Sequence, residues 1–145
     1  MKIGVSLLIL ALSLPSFGQL APEGWQILDG VKFETKYVEE VEGEYFFPVV
    51  NDDLKKIIGE TVEIKGYYIP VEMDGNSIII SKYPYTSCFF CGGAGPESVA
   101  AVKVNGKIGE YYLDELITVR GRFAVNDSDV DMLNFIIEDA KILDE

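Results

Sequence analysis

Residues 61–81, TVEIKGYYIPVEMDGNSIIIS, carry the clearest strand and turn signals in the chain. The first part is rich in β-branched and aromatic residues, and the last part is a short apolar run of the same kind. The Asp-Gly dipeptide at positions 74–75 is typical of a tight hairpin turn. We therefore predict one strand over residues 61–71 and a returning strand over residues 77–81.

Residues 116–125, LITVRGRFAV, repeat the local design of the first of these strands. In both segments a glycine follows a basic residue, and an aromatic residue comes within the next two positions. Glycines inside two long strands favour the tight coiling that small closed barrels need at their corners. We expect Gly66, or the nearby Pro70, to bend the first strand.

Weaker patterns along the rest of the chain predict the remaining elements. They are a half-buried strand within residues 25–37, a β-like patch over 45–50, a short helix over 53–58 with Asn51 or Asp52 as its cap and Gly59 at its end, a strand over 100–104, and a strand or strand pair over 133–143. This order predicts a mostly β protein, a small OB-like barrel of five strands with an extra N-terminal strand and a short helix. A small β-sandwich is the alternative.

The first 18 residues are typical of a cleavable secretory signal peptide. Lys2 supplies the positive start, and the apolar stretch over residues 3–14 is too short to span a bilayer. Small residues before Gln19 favour cleavage there, and no cysteine lies near the cut to carry a lipid anchor. Residues 19–145 are then expected to form one β-rich domain in the periplasm or outside the cell.

Charge and composition exclude several functional classes. The chain has 24 acidic and 12 basic residues, a net charge of −12, and no histidine. Such a surface repels phosphate backbones and anionic lipids, so we expect neither nucleic-acid binding nor membrane-surface binding, even though OB folds often bind oligonucleotides. The lack of histidine excludes Ser-His and Cys-His catalysis and covalent haem attachment, and it favours a non-catalytic role.

The chemically distinctive segment is YPYTSCFFCGGAGPE, residues 83–97, between two predicted strands. Cys88 and Cys91 are close enough in sequence to form a local disulfide, or to give two thiolates to one metal ion. Glycines rather than a helix follow the pair, which disfavours helix-assisted thiol exchange. Five neighbours are candidates to line a pocket beside the pair: Tyr83, Tyr85, Phe89, Phe90 and Glu97.

Cys-x-x-Cys-Gly, at residues 88–92, resembles the metal knuckle of rubredoxins and zinc ribbons. It is half of a tetrahedral zinc site, because the chain has neither a second cysteine pair nor a histidine. The missing ligands would have to come from a second subunit in a homodimer or from a carboxylate such as Glu97. An oxidising compartment favours a local disulfide instead.

VEIKGYYIPVE, residues 62–72, and SCFFCGGAGPESV, residues 87–99, together resemble an uncharacterised family of small exported bacterial proteins. The resemblance covers roughly residues 46–125. It implies a link with periplasmic metal supply, with Cys88 and Cys91 as candidate ligands. Because this chain lacks the histidine that relatives offer near the loop, zinc is in doubt and a thiophilic ion such as Cu(I) stays open.

Two functional hypotheses follow from the sequence. In the first, the protein is an exported, non-catalytic binding module whose cysteine pair contacts a metal ion or an exported protein partner. In the second, it is a thiol-disulfide protein in which the same pair cycles between reduced and oxidised forms. A structural domain whose cysteines form a local disulfide is the plain alternative to both.

Overall fold

The structure is a computed structural model that describes residues 24–73 and 75–143. The predicted signal peptide therefore lies outside the described residues. The strands and the α-helix of this part of the chain are β1 (Phe33–Val38), β2 (Gly43–Pro48), α1 (Asp52–Ile57), β3 (Thr61–Ile69), β4 (Ser77–Ser81), β5 (Val99–Val104), β6 (Leu116–Val125) and β7 (Phe135–Leu143). Within the same residues, no helix has the length and apolar character needed to cross a membrane.

Five strands form a closed barrel in the order β3, β4, β5, β7, β6. Neighbouring strands are antiparallel except β5 and β7, which run parallel. A closed five-stranded mixed barrel of this kind is consistent with a small OB-like barrel, so the predicted fold class is confirmed. The β-sandwich alternative is wrong, because the sheet closes on itself instead of splitting into two packed layers.

The strand bounds follow the local patterns closely. β4 and β6 match their predicted bounds, whereas β3 ends at Ile69, two residues before the predicted end. Pro70 accounts for the difference, because it has no backbone N–H to continue the ladder. β7 is one strand rather than a pair, and it begins at Phe135.

Gly121 allows β6 and β7 to close on each other. A Cβ atom at this position would lie 2.6 Å from the Glu138 carbonyl oxygen and 2.9 Å from the Ala140 Cα. The pairing register between the two strands shifts at this point, between Arg120 and Arg122. The predicted link between strand glycines and tight coiling therefore has a physical basis at Gly121. Any amino acid with a Cβ at this position would collide with the backbone of β7.

The prediction of a half-buried strand within residues 25–37 is wrong in its first half. Trp25–Leu28 forms a 3-10 turn, and β1 begins only at Phe33. β3 pairs with β4 only from residue 67 onward, and the Trp25 side chain packs beside the earlier part of β3. The indole N–H donates to the Lys65 carbonyl over 2.8 Å, and Trp25 is only 1% exposed.

β1 and β2 form a separate two-stranded sheet, the N-terminal hairpin, and most of its residues are exposed. The predicted half-burial of β1 fails because the hairpin does not join the barrel sheet. It contacts the barrel through a few side chains, among them Phe33, whose ring lies 6.2 Å from that of Phe135 in an edge-on arrangement.

α1 connects the hairpin to the barrel. The Asn51 side chain accepts a hydrogen bond from the Leu54 N–H over 2.9 Å, so Asn51 is the cap and the helix begins at Asp52, one residue earlier than predicted. Leu54 is buried in the barrel core, which anchors the helix. Gly59, at a φ of 87°, turns the chain into β3.

Candidate functional site

The cysteine loop, residues 83–97, connects β4 to β5. It folds as a series of 3-10 turns at Tyr85–Ser87, Phe89–Cys91 and Pro96–Ser98. The Lys82 N–H donates to the Ser98 carbonyl over 2.8 Å, and the buried Ser98 hydroxyl donates to the Gly95 carbonyl over 2.6 Å. The loop is therefore closed at its base by hydrogen bonds, although it contains little regular structure.

One tight turn brings the two cysteines together. The Cys88 carbonyl accepts hydrogen bonds from the N–H groups of Cys91, over 3.2 Å, and of Gly93, over 3.1 Å. The two thiols are free and are hydrogen-bonded to each other. They differ in environment, because Cys88 is fully buried at 0% exposure and Cys91 is exposed.

The two glycines after Cys91 are needed for this turn. Gly92 has a φ of 75°, in the left-handed region that residues with a Cβ rarely adopt. At Gly93, a Cβ would lie 2.7 Å from the Ser87 carbonyl oxygen. A side chain at Gly92 would strain the turn, and one at Gly93 would push the chain away from the backbone of Ser87.

The exposed thiol is not activated. Partial loss of hydration at the sulfur raises the pKa of Cys91, and the charge and hydrogen bond of the neighbouring Cys88 raise it further. A hydrogen bond with Tyr85 acts in the opposite direction but does not reverse the shift. Cys91 is therefore protonated at neutral pH, and a protonated thiol is a poor nucleophile.

The five predicted pocket residues do not share one pocket. Tyr83 and Glu97 line an open pocket together with the backbone glycines of the loop. Phe89 lines a different, apolar pocket, and Phe90 is exposed with its ring 5.5 Å from that of Phe89. Tyr85 contacts the pair directly, because its side chain is hydrogen-bonded to the exposed cysteine.

Asp114 is a contributor that the sequence did not reveal. Its carboxylate accepts a hydrogen bond from the Tyr85 N–H over 2.7 Å, and its own φ of 64° is unusual for a residue other than glycine. Asp114 lies in the connection between β5 and β6, far from the cysteines in sequence. No local pattern marks such a contact, because the closed barrel alone brings the two connections together.

Lys82 anchors the start of the loop. Its ammonium lies 2.9 Å from the Asp29 carboxylate and 5.8 Å from the centre of the Tyr83 ring. The hydrogen bond with Asp29 raises the pKa of Lys82, so the Lys82 ammonium stays protonated throughout the neutral range.

Candidate metal ligands do not cluster around the cysteine pair in the described residues. Across residues 24–73 and 75–143, no cluster of three or more Cys, Asp or Glu side chains is arranged to hold a metal ion. Glu97, a candidate third ligand from the sequence, is therefore not grouped with the two thiols; its carboxylate folds back over Gly95.

Comparison with known proteins identifies no relative. No protein-family model matches the chain, and neither a curated protein nor a solved structure matches it. The role of the cysteine loop therefore has to be judged from its own geometry and chemistry.

Proposed function

We propose that the protein is an exported, non-catalytic binding module in which Cys88 and Cys91 hold one soft monovalent metal ion, Cu(I). The observation that carries this proposal is the pair of adjacent free thiols, with no third ligand grouped with them in the described residues. Thiolates are ligands that select Cu(I). Structural zinc sites, in contrast, almost always take four protein ligands, which this loop does not supply.

The shape of the turn supports binding. Hydrogen bonds to the Cys88 carbonyl hold both cysteines at the ends of one turn, so little chain entropy is lost when both sulfurs ligate the same ion. The buried position of Cys88 shields one side of the site from water. Shielding of this kind favours retention of a soft ion over exchange with solvent.

The same features disfavour the thiol-disulfide alternative. A reactive exchange cysteine has a lowered pKa and is exposed, often at a helix N-terminus. Here the exposed thiol, Cys91, has a raised pKa, and Cys88 is buried before a single 3-10 turn. A stable Cys88–Cys91 disulfide is the remaining competitor, because export would place the pair in an oxidising compartment.

The test is a Cu(I) titration of residues 19–145 under anaerobic conditions, in competition with a coloured chelator. Intact mass before and after alkylation counts the free thiols in the same sample. We expect two free thiols and one Cu(I) per chain. Cys91→Ser should weaken binding by more than about 100-fold, because even losses outside the ligand shell typically cost roughly 10–100-fold.

Ser87→Ala is the matched control, because it changes an exposed neighbour of Cys88 without removing a sulfur. Its affinity should equal that of the unmodified chain.

Cu(I) binding should also strengthen from about pH 6 to pH 8, because each thiol gives up a proton on ligation and the pKa of Cys91 is raised. A disulfide that resists mild reductants, or a Cys91→Ser variant that binds as tightly, would refute the proposal; one ion per two chains would refute the single-chain site.

A further inference from the structure

An apolar pocket lies between the N-terminal hairpin, the cysteine loop and the connection between β6 and β7. Its volume is about 280 Å³. Phe46 and Phe47 contribute from β2, Phe89 from the cysteine loop, and Met132 and Leu133 from the β6–β7 connection. Side chains from three separate segments thus meet at one concave site.

The topology places these segments together. β4 is antiparallel to β5, β5 is parallel to β7, and β6 is antiparallel to β7, so the β4–β5 and β6–β7 connections leave the same end of the barrel. Two hydrogen bonds link the hairpin to the β6–β7 connection. Asn134 donates to the Phe46 carbonyl over 3.4 Å, and the Lys36 ammonium donates to the Asp127 carbonyl over 3.5 Å.

The size and composition of the pocket fit a small apolar ligand. An engineered apolar cavity of about 150 Å³ holds benzene, so the space here accommodates one aromatic ring with a short chain. Phe46 is 65% exposed and Met132 is also exposed, so part of the apolar lining faces solvent. An apolar cleft with a few polar groups at fixed positions is the usual form of a small-molecule site.

The charged groups of the pocket are acidic. Glu44 and Asp129 line it together with the Asn134 amide, and no Lys or Arg is among its described lining residues. The Asn134 side-chain nitrogen already donates to two carbonyl oxygens, and one Asp129 oxygen accepts from the Asp131 N–H. The charged acceptors open to a ligand are the Glu44 carboxylate and the second Asp129 oxygen. The whole chain carries a net charge of −12, which adds to the attraction for a cation.

An aromatic ring of the lining already has a cation beside it. The Lys36 ammonium lies 5.5 Å from the centre of the Phe47 ring and pairs with Glu34 over 3.1 Å. The faces of aromatic rings are electron-rich and attract cations such as this ammonium. Because Glu34 compensates the charge of Lys36, this lysine opposes a second cation only weakly.

We propose that the apolar pocket binds a small organic cation, an aromatic ring on a short chain that ends in a protonated amine. The ring packs among Phe46, Phe89 and Met132, and the ammonium is stabilised by Glu44 and Asp129. A free molecule is favoured over a peptide because three segments of the chain line the pocket and its volume has room for a single ring with a short chain. This site does not depend on the proposed metal site.

The experiment compares three compounds with the same ring and nearly the same length, by calorimetric titration of residues 19–145 at low salt. They are phenethylamine, phenethyl alcohol and 3-phenylpropionate. We expect affinity to fall in that order. The amine should bind at least about tenfold more tightly than the anion, because the two carboxylates attract the one and repel the other. Added salt should reduce this difference. Equal binding of amine and anion, or no binding of any of the three, would overturn the proposal.

Variants separate the contribution of the two carboxylates from that of the apolar lining. Glu44→Gln with Asp129→Asn keeps an acceptor oxygen at each position and should reduce phenethylamine binding to the level of the alcohol, without changing alcohol binding. Met132→Trp should fill the pocket and abolish binding of all three. Tyr112→Ala, at an 81% exposed aromatic residue outside the pocket, should change nothing.

Thermal unfolding of each variant establishes that it is folded before its binding is compared. If Met132→Trp is folded and still binds the amine with the original affinity, the pocket is not the site. If phenethylamine does not bind, but a peptide carrying the same ring beside a lysine does, the ligand is a polypeptide and the small-molecule proposal is wrong.

Discussion

Gly92 and Gly93 decide whether the two cysteines can meet. Gly92 supplies the left-handed backbone conformation that ends the turn after Cys91. Gly93 supplies the space that lets the chain pass against the Ser87 backbone, where its N–H can donate to the Cys88 carbonyl. The reactivity of the pair is therefore set by backbone geometry as well as by the sulfurs.

Gly92→Ala should lower the free energy of unfolding by about 1–2 kcal/mol, the usual cost of a left-handed residue with a Cβ. It should also increase the rate at which Cys91 is alkylated, because the turn that holds it is weakened. Gly75→Ala is the matched control, since Gly75 has a similar φ of 71° and open space around it, but lies outside the cysteine loop. Denaturant titration and timed alkylation with mass spectrometry measure the two effects.

The control should show a similar loss of stability and no change in alkylation rate. If both variants alter the alkylation of Cys91 equally, the effect is a general loosening of the fold. The local role of Gly92 in the cysteine turn would then be wrong.

Asp114 gives the cysteine loop a partner that is remote in sequence. Its carboxylate holds the Tyr85 N–H, and the Tyr85 side chain is hydrogen-bonded to Cys91. The environment of the exposed thiol therefore depends on a residue in a different connection of the barrel.

At the scale of elements, Gly121 lets β6 pair closely with β7 in the closed barrel, at the point where the register of the two strands shifts. Gly121 faces the backbone of β7 directly, and those backbone atoms cannot move without disturbing the strand pairing. The Glu138 carbonyl and the Ala140 Cα both lie within 2.9 Å of where a Cβ would be built. Gly66 is less confined, because its nearest neighbour would be the Ser81 carbonyl oxygen at 3.0 Å.

Gly121→Ala should destabilise the protein by about 1–3 kcal/mol or more, the usual cost of overpacking a closed interior. Gly66→Ala should cost less, because a few tenths of an ångström of movement relieve its contacts. Thr61→Ala, at an exposed position at the start of β3, is the control and should stay within about 0.5 kcal/mol of the original chain. Urea titration gives all three values, and a Gly121→Ala variant no less stable than Thr61→Ala would contradict this account of barrel closure.

The N-terminal hairpin shows why an alternating pattern is not enough to predict burial. Alternation in β1 predicts one buried face, but a strand buries that face only if another layer covers it. Here the hairpin stands beside the barrel, and an isolated two-stranded sheet is marginally stable in water. Contacts such as that of Phe33 with Phe135 are therefore what hold it in place.

At the scale of the whole molecule, Trp25 joins the N-terminal segment to the barrel. It is the only tryptophan of the chain, and it packs in the same core as residues from the barrel strands. Its contact with β3 lies where β4 no longer pairs with that strand. The segment before β1 is thus part of the barrel core and not an appended tail.

Unfolding should therefore be one cooperative transition. We expect the midpoint from Trp25 fluorescence to coincide with the midpoint from far-ultraviolet circular dichroism, which follows the barrel strands. Phe33→Ala, which removes a contact between hairpin and barrel, should lower both midpoints together. A fluorescence change at clearly lower denaturant than the dichroism change would show that the N-terminal segment unfolds separately.

Most of the barrel strands could be predicted from local sequence patterns, whereas the surroundings of the cysteines could not. The bounds of β4 and β6 follow from short apolar or alternating runs, and the cap at Asn51 follows from side-chain chemistry next to the helix. The cysteine pair is also visible in the sequence, but the burial of Cys88 and the raised pKa of Cys91 depend on how the loop packs.

The sequence by itself determined the strands, the turn residues and the placing of two thiols three positions apart, because these depend on interactions between residues that are near neighbours in the chain. Only the tertiary structure decided that Trp25 packs against β3, that Asp114 holds Tyr85, and that Phe46, Phe89 and Met132 share a pocket. Those contacts join distant segments. Their free energy appears only once the barrel has closed and the entropy of bringing the segments together has been lost.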